Sequence, residues 1–75
     1  MSYREMTVAQ IREKREADHA EIAFYESARF YRLPRTNRAC QELLELLREA
    51  MNKKRVVKVR FLSPHSDIIE DVKVP

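Results

Sequence analysis

The stretch TVAQIREKREADHAEIAFYESARFYRL, residues 7–33, decides which fold the sequence predicts. Thr7 is a residue type suited to an N-cap, and Gln10 stands three positions later, which is the spacing of a capping box. The residue before Pro34 is disfavoured in the helical conformation, so a helix is expected to end there. These signals predict a first helix over residues 7–33, preceded by a loose lead-in over residues 1–6.

The remaining sequence predicts a second helix and a β-hairpin. Over residues 36–52 the apolar residues recur at the three- and four-residue spacing of an amphipathic helix. From residue 55 the apolar period changes to two, and the turn sequence SPHSD occupies 63–67, so a hairpin is expected over residues 55–74. The predicted fold class is therefore α+β, with a long N-terminal helix, a second amphipathic helix and a C-terminal antiparallel β-hairpin in one small domain, residues 1–75.

The composition excludes several classes of function. Among 75 residues there is no glycine and one cysteine. Without glycine the chain cannot form a P-loop or a dinucleotide-binding loop, because both require close backbone approach to phosphate. A single cysteine excludes an internal disulfide framework and a cysteine-based zinc finger. No apolar run reaches the length of a membrane span. We therefore expect a cytoplasmic protein of bacterial or phage type that is not an enzyme.

Two short motifs contain residues that could bind a metal or catalyse a reaction, but neither motif is sufficient for such a site. Glu16 and His19 have the Glu-x-x-His spacing of di-iron bundles, which also need a second copy and two further glutamates. His65 and Asp67 could pair in a turn, but no nucleophile or metal ligand accompanies them. Cys40 falls on the apolar stripe of the second helix, so its thiol is expected in the core. The sequence predicts no catalytic residue, no metal site and no cofactor.

Positive charge is concentrated in two segments that contain no acidic residue. The net charge is +3, yet residues 29–38 carry four arginines and residues 53–60 carry five cations. If the hairpin returns along the second helix, the two segments form one basic band that could contact the phosphates of DNA or RNA. A winged helix-turn-helix is a narrower form of this hypothesis. The predicted nucleic-acid-binding residues are Arg29, Arg32, Arg35, Arg38, Lys53, Lys54, Arg55, Lys58 and Arg60. The alternatives are a solvated, partly paired surface or an acidic protein partner.

The first helix is predicted to be apolar on two faces. One further helix and a hairpin cannot cover both faces of it, so self-association as a homodimer is expected. The predicted interface residues are Ala17, Ala20, Phe24, Ala28 and Tyr31. The alternative is that the hairpin covers the second face. If the protein does not bind nucleic acid, the sequence favours a protein–protein interaction module or an inhibitor that oligomerises through the first helix.

Overall fold

The structure, a computed structural model, describes residues 2–75 as a five-stranded antiparallel sheet and a helix. About 45% of the chain is strand and 19% is helix. The sheet order is β3-β2-β1-β4-β5, and each neighbouring pair is antiparallel. The elements in chain order are β1 (Arg4–Glu13), β2 (His19–Phe24), β3 (Phe30–Pro34), α1 (Cys40–Lys53), β4 (Val56–Phe61) and β5 (Ile69–Lys73).

The predicted long N-terminal helix does not form, and the predicted fold class is wrong. Residues 7–33 instead contribute to β1, β2 and β3. The expected lead-in, residues 1–6, already belongs to β1 from Arg4 onward, and Met1 lies outside the described residues. The second helix and the C-terminal hairpin do form, as α1 and as β4 with β5. The error is therefore confined to the N-terminal half of the chain.

Strand alternation in the N-terminal half explains this difference. Ala20, Ile22 and Phe24 are buried, and the residues between them are only half-buried, which is the period of a strand with one face on a core. The turns that join β1 to β2 and β2 to β3 contain no glycine and are rich in Ala, Glu, Lys and Arg, which are strong helix formers. Within residues 2–75 the one positive φ belongs to Lys54, so neither of these two turns requires glycine.

The α1 helix begins four residues later than predicted, because Asn37 forms a turn and a contact with the sheet before the helix starts. Its Oδ1 accepts a hydrogen bond from the backbone N–H of Ala39 at 2.9 Å, which makes a local turn before the helix. Its Nδ2 donates to the backbone carbonyl of Glu70 on β5 at 2.9 Å. Asn37 thus joins the start of α1 to β5.

The sheet curls until its first and last strands in spatial order meet. The backbone N–H of Arg32 on β3 donates to the carbonyl of Asp67, just before β5, at 2.7 Å, and Arg32 forms an isolated bridge with Ile68. Two irregularities, between Val8 and Gln10 and between Arg60 and Phe61, are β-bulges, which increase the twist of a sheet. The contact between β3 and β5 covers part of the two exposed edges.

The core lies between the concave face of the sheet and α1. Leu33, Leu47 and Val59 are fully buried there, and the free thiol of Cys40 is also buried, as the sequence predicts. Tyr31 lies between two phenylalanine rings, and the shorter distance between ring centroids is 4.7 Å. This apolar layer fixes the position of α1 relative to β4 and β5, which is where the candidate site described below is found.

Candidate functional site

Three of the predicted nucleic-acid-binding cations are paired with carboxylates. The guanidinium of Arg32 lies 2.9 Å from Asp67 Oδ1. The guanidinium of Arg60 lies 3.0 Å from Glu70 Oε1. The ammonium of Lys53 lies 2.8 Å from a carboxylate oxygen one helical turn earlier. The partners of Arg32 and Arg60 come from the residues just before β5 and from β5 itself, and the partner of Lys53 comes from α1. The acid-free segments of the sequence therefore lie beside acids in the fold.

Arg35 and Arg29 have partners other than carboxylates. Arg35 donates from Nε to the carbonyl of Ala17 at 2.8 Å and from Nη2 to the carbonyl of Lys14 at 3.0 Å. It therefore links the turn after β3 to the turn between β1 and β2. The guanidinium of Arg29 lies 5.4 Å from the centroid of the Tyr31 ring, within the range of a cation–π contact. Both side chains therefore make contacts within the chain that stabilise the fold.

The four remaining cations of the predicted set form no ion pair within residues 2–75. Arg38 is exposed in the turn before α1, and Lys54 adopts the left-handed conformation that ends α1. Arg55 is exposed directly after α1, and Lys58 pairs in register with Glu5 on one side and Lys73 on the other. Contact with nucleic acid stays a prediction, carried by fewer unpaired cations than the sequence suggests.

The predicted oligomer interface has no continuous face in the folded chain. Ala20, Phe24 and Tyr31 are buried in the core of a single copy. Ala17 is half-buried in a turn, and Ala28 is exposed in another turn. The two apolar faces that called for a partner arise from a helix that does not form. A homodimer stays a prediction without this argument in its favour.

Of the histidines in the two sequence motifs, one is bonded to a neighbouring carboxylate and the other is exposed. His19 Nδ1 lies 2.8 Å from Asp18 Oδ1, and that hydrogen bond holds the pKa of Asp18 below its usual value. His65 is exposed in its turn, and Asp67 is bonded to Arg32, which lowers the pKa of that carboxyl. Among residues 2–75 no three histidine, cysteine or acidic side chains cluster as metal ligands. In the same range the helix is too short and too polar to cross a bilayer.

A charged cluster on the outer face of the sheet is centred on Tyr3. Its hydroxyl donates to Asp71 Oδ2 at 2.5 Å, and this bond raises the pKa of the phenol. The ammonium of Lys73 lies 4.1 Å from the ring centroid, and the guanidinium of Arg60 lies 5.3 Å from it. Tyr3 therefore fastens the segment before β1 to β4 and β5. An open concavity beside the cluster is lined by Tyr3, Glu5, Lys58 and Lys73. Because the polar groups of Tyr3 are bonded within the chain, we assign the cluster a structural role.

An apolar groove with a volume of about 560 Å³ lies between α1 and the strand ends beside it. We call it the α1–β4 groove. Leu46 of α1 and the exposed Val56 and Val74 supply its apolar surface, and Val56 and Val74 are 42% and 64% exposed. Its lining residues are Glu42, Glu45, Leu46, Glu49, Ala50, Arg55, Val56, Val57, Val74 and Pro75.

The wall of the α1–β4 groove on the helix side is acidic. Glu42, Glu45 and Glu49 are exposed and lie within 60° of one another around the helix axis, at 100° per residue. Lys53 bonds to Glu49 and lowers the pKa of that carboxyl, so it is ionised at neutral pH. Arg55 is the one cation among the lining residues. The groove therefore combines an apolar floor with a negative wall.

Sequence reasoning missed this groove because no single segment contains it. The acidic face of α1 could be found from helical spacing, since Glu42, Glu45 and Glu49 share one side. Val56 and Val74 stand in a strand pattern that gives no sign of exposure. Their position beside α1 depends on the packing of the helix against the sheet, which only the fold reveals.

Comparison with known proteins shows the fold alone. No protein-family model matches the chain, and no curated protein matches it. A solved structure of pro-protein-glutaminase is 20% identical with a TM-score of 0.84, over 100% of this chain and 25% of the other. A mutant of pro-protein-glutaminase is 22% identical with a TM-score of 0.78, over 95% of this chain and 24% of the other. The chain thus has the fold of a domain-sized part of those proteins and spans about a quarter of their length.

Proposed function

We propose that this chain is a non-catalytic domain that binds a partner protein through the α1–β4 groove and inhibits it. The observation that carries the proposal is the exposed apolar floor formed by Leu46, Val56 and Val74. Elsewhere the surface is dominated by charged side chains, many of them paired within the chain. An apolar surface rimmed by charge is typical of a protein-binding site.

The chemistry of the described residues supports a binding role over a catalytic one. A catalytic site requires a nucleophile, acid or base held in a cleft with a positioned partner. The thiol of Cys40 is buried among apolar side chains, and the His19–Asp18 pair lies at the surface. The α1–β4 groove holds carboxylates and an arginine but no histidine or thiol. These features favour recognition.

The fold comparison suggests the class of partner. The similar structures are pro-forms, which are precursors of an enzyme, and this chain has the fold of about a quarter of them. A separate domain with that fold could cover the surface of an enzyme of the same kind. We therefore propose a protein-glutaminase type of enzyme as the partner, with the chain acting as its inhibitor.

The proposal is tested by adding the full chain to mature protein-glutaminase and measuring ammonia release from a glutamine-containing protein. We expect the rate to fall as the chain is added in excess. Val74→Asp places a charge on the apolar floor and should weaken inhibition by about tenfold or more. Leu62→Asp is the matched control, because Leu62 is also exposed but lies outside the groove. An unchanged rate, together with no binding heat at 100-fold excess, would contradict the proposal.

Contact with a nucleic-acid backbone is the second candidate. It is favoured by Arg29, Arg38, Lys54, Arg55 and Lys58, which form no ion pair within residues 2–75. Phosphate contacts make affinity fall steeply with salt. Binding of generic duplex or single-stranded nucleic acid, measured at two salt concentrations, discriminates the candidates. Tight binding that a triple substitution of Arg29, Arg38 and Arg55 to alanine abolishes would support this second function.

A further inference from the structure

We propose that the α1–β4 groove takes an extended segment of a partner protein in which basic and apolar residues alternate. This inference rests on the proposed protein-binding function and specifies the chemistry of the segment. Two observations carry it, the acidic wall supplied by α1 and the apolar floor opposite that wall. The occupant is identified by this chemistry alone.

The charge of the groove selects a basic occupant. Glu42 and Glu45 form no ion pair within residues 2–75, whereas the Glu49 carboxylate already has Lys53 beside it. Two unpaired carboxylates on one wall repel an acidic segment and attract lysine or arginine. A nucleic-acid backbone would be repelled for the same reason, and of the cations that favour the second candidate function only Arg55 lines the groove.

The floor of the groove selects an apolar component. Val56 and Val74 are each exposed by more than two fifths, and Leu46 of α1, which also lines the groove, is half-buried. Covering them removes apolar surface from water, which is the main favourable contribution in most protein association. A purely basic segment would pair with the carboxylates and leave this floor exposed.

The dimensions of the groove favour an extended conformation. From Glu42 to Glu49 α1 advances by about 10 Å, at 1.5 Å per residue. An extended segment covers that length in three to four residues, and its successive side chains point to opposite sides. Alternate residues would then face the carboxylates of α1, and the residues between them would face Val56 and Val74. The volume of about 560 Å³ lies within the usual range for ligand sites.

The test is a calorimetric titration of the full chain with a six-residue peptide of alternating valine and lysine. Peptides of alternating valine and glutamate, and of alternating serine and lysine, are the controls. We expect saturable binding of the valine–lysine peptide below 1 mM, weakened several-fold by 0.5 M salt because surface charge is screened. Absence of binding up to 1 mM, or equal binding of either control peptide, would overturn the inference.

Variants locate the binding to the groove. Glu42→Gln with Glu45→Gln should weaken the valine–lysine peptide about tenfold, at roughly threefold per exposed carboxylate. Glu16→Gln is the matched control, because Glu16 is exposed in the turn between β1 and β2. Glu42→Lys with Glu45→Lys should reverse the preference toward the valine–glutamate peptide. Circular dichroism checks that each variant keeps its fold, and unchanged affinity in the folded double variants would overturn the inference.

The outcome is independent of the proposed enzyme partner. If the valine–lysine peptide binds and mature protein-glutaminase is not inhibited, the inference stands and the partner proposed above is wrong. If the enzyme is inhibited and the peptide does not bind, the proposed function stands and the inference is overturned.

Discussion

The substitution Ile22→Ala tests the assignment of the N-terminal half to strands. Ile22 lies on β2 between β1 and β3, in register with Ile11 and Tyr31, and its side chain is fully buried. Replacing it with alanine removes apolar contacts and leaves a cavity, at a cost of about 2–5 kcal/mol. A chain of this length is expected to have a total stability of about 4–11 kcal/mol. The variant should therefore lose a large share of its stability.

Urea unfolding followed by circular dichroism measures this loss. With a slope of about 1 kcal/mol per molar urea, the midpoint of Ile22→Ala should fall by about 2 M or more, or the variant should be unfolded without urea. Val56→Ala is the control, because Val56 is 42% exposed and its truncation should cost about 1 kcal/mol or less. Equal midpoints for the two variants would refute the burial of Ile22 and with it the arrangement of β1, β2 and β3.

The other predictions concern local contacts. Arg35→Ala removes two hydrogen bonds to backbone carbonyls and should lower the free energy of unfolding by about 1 kcal/mol, whereas Arg38→Ala should change it by less than about 0.5 kcal/mol in the same urea assay. The pKa of Asp67 is lowered by Arg32, so this pair adds stability above the carboxyl's unfolded pKa, near 4, and loses it as pH falls through the lower folded-state pKa. Asp67→Asn should therefore flatten the loss of stability measured between pH 5 and pH 2. The pKa of Tyr3 is raised by its hydrogen bond to Asp71, so this bond contributes to stability below about pH 10 and the contribution is lost as pH rises through the folded-state pKa. Tyr3→Phe should therefore remove a late step from the titration of phenolate absorbance. Lys54→Gly should stabilise the protein by about 0.5–1 kcal/mol in thermal unfolding, because glycine adopts the left-handed conformation without steric cost.

The C-terminal half of the fold is predictable from sequence because its signals agree with one another. The apolar residues of α1 recur at helical spacing, and the change to a period of two marks β4. Charge supports the same pairing, because Arg60 on β4 lies opposite Asp71 and pairs with Glu70, both on β5. Local propensity and long-range pairing point to the same structure in this part of the chain.

The N-terminal half is not predictable in the same way because local and long-range preferences conflict. The Glu16–Ala17 turn has the composition of a helix, and without a glycine nothing in the sequence marks it as a turn. The contacts that decide the outcome are distant in sequence, such as the pairing of Met6 with Val57 between β1 and β4. Tertiary pairing outweighs local helix propensity here, as it commonly does in sheets.

The candidate site depends even more on tertiary contacts. The basic residues were predicted as one band because no acid stands near them in sequence, but Asp67 and Glu70 reach Arg32 and Arg60 from neighbouring elements. The α1–β4 groove also depends on residues that are distant in sequence, since Val74 stands about thirty residues from Glu45 and lines the same groove. Residue spacing could identify the acidic face of α1, but the apolar floor beside it required the fold.

Binding of a protein through the α1–β4 groove can be observed residue by residue. The most direct measurement is a two-dimensional amide spectrum of the isotopically labelled chain, recorded as unlabelled mature protein-glutaminase is added. If the enzyme binds in the groove, we expect the largest shift changes or losses of intensity at the amide signals of Leu46, Val56 and Val74. An unchanged spectrum, or changes confined to Arg29, Arg38 and the turns around them, would contradict it.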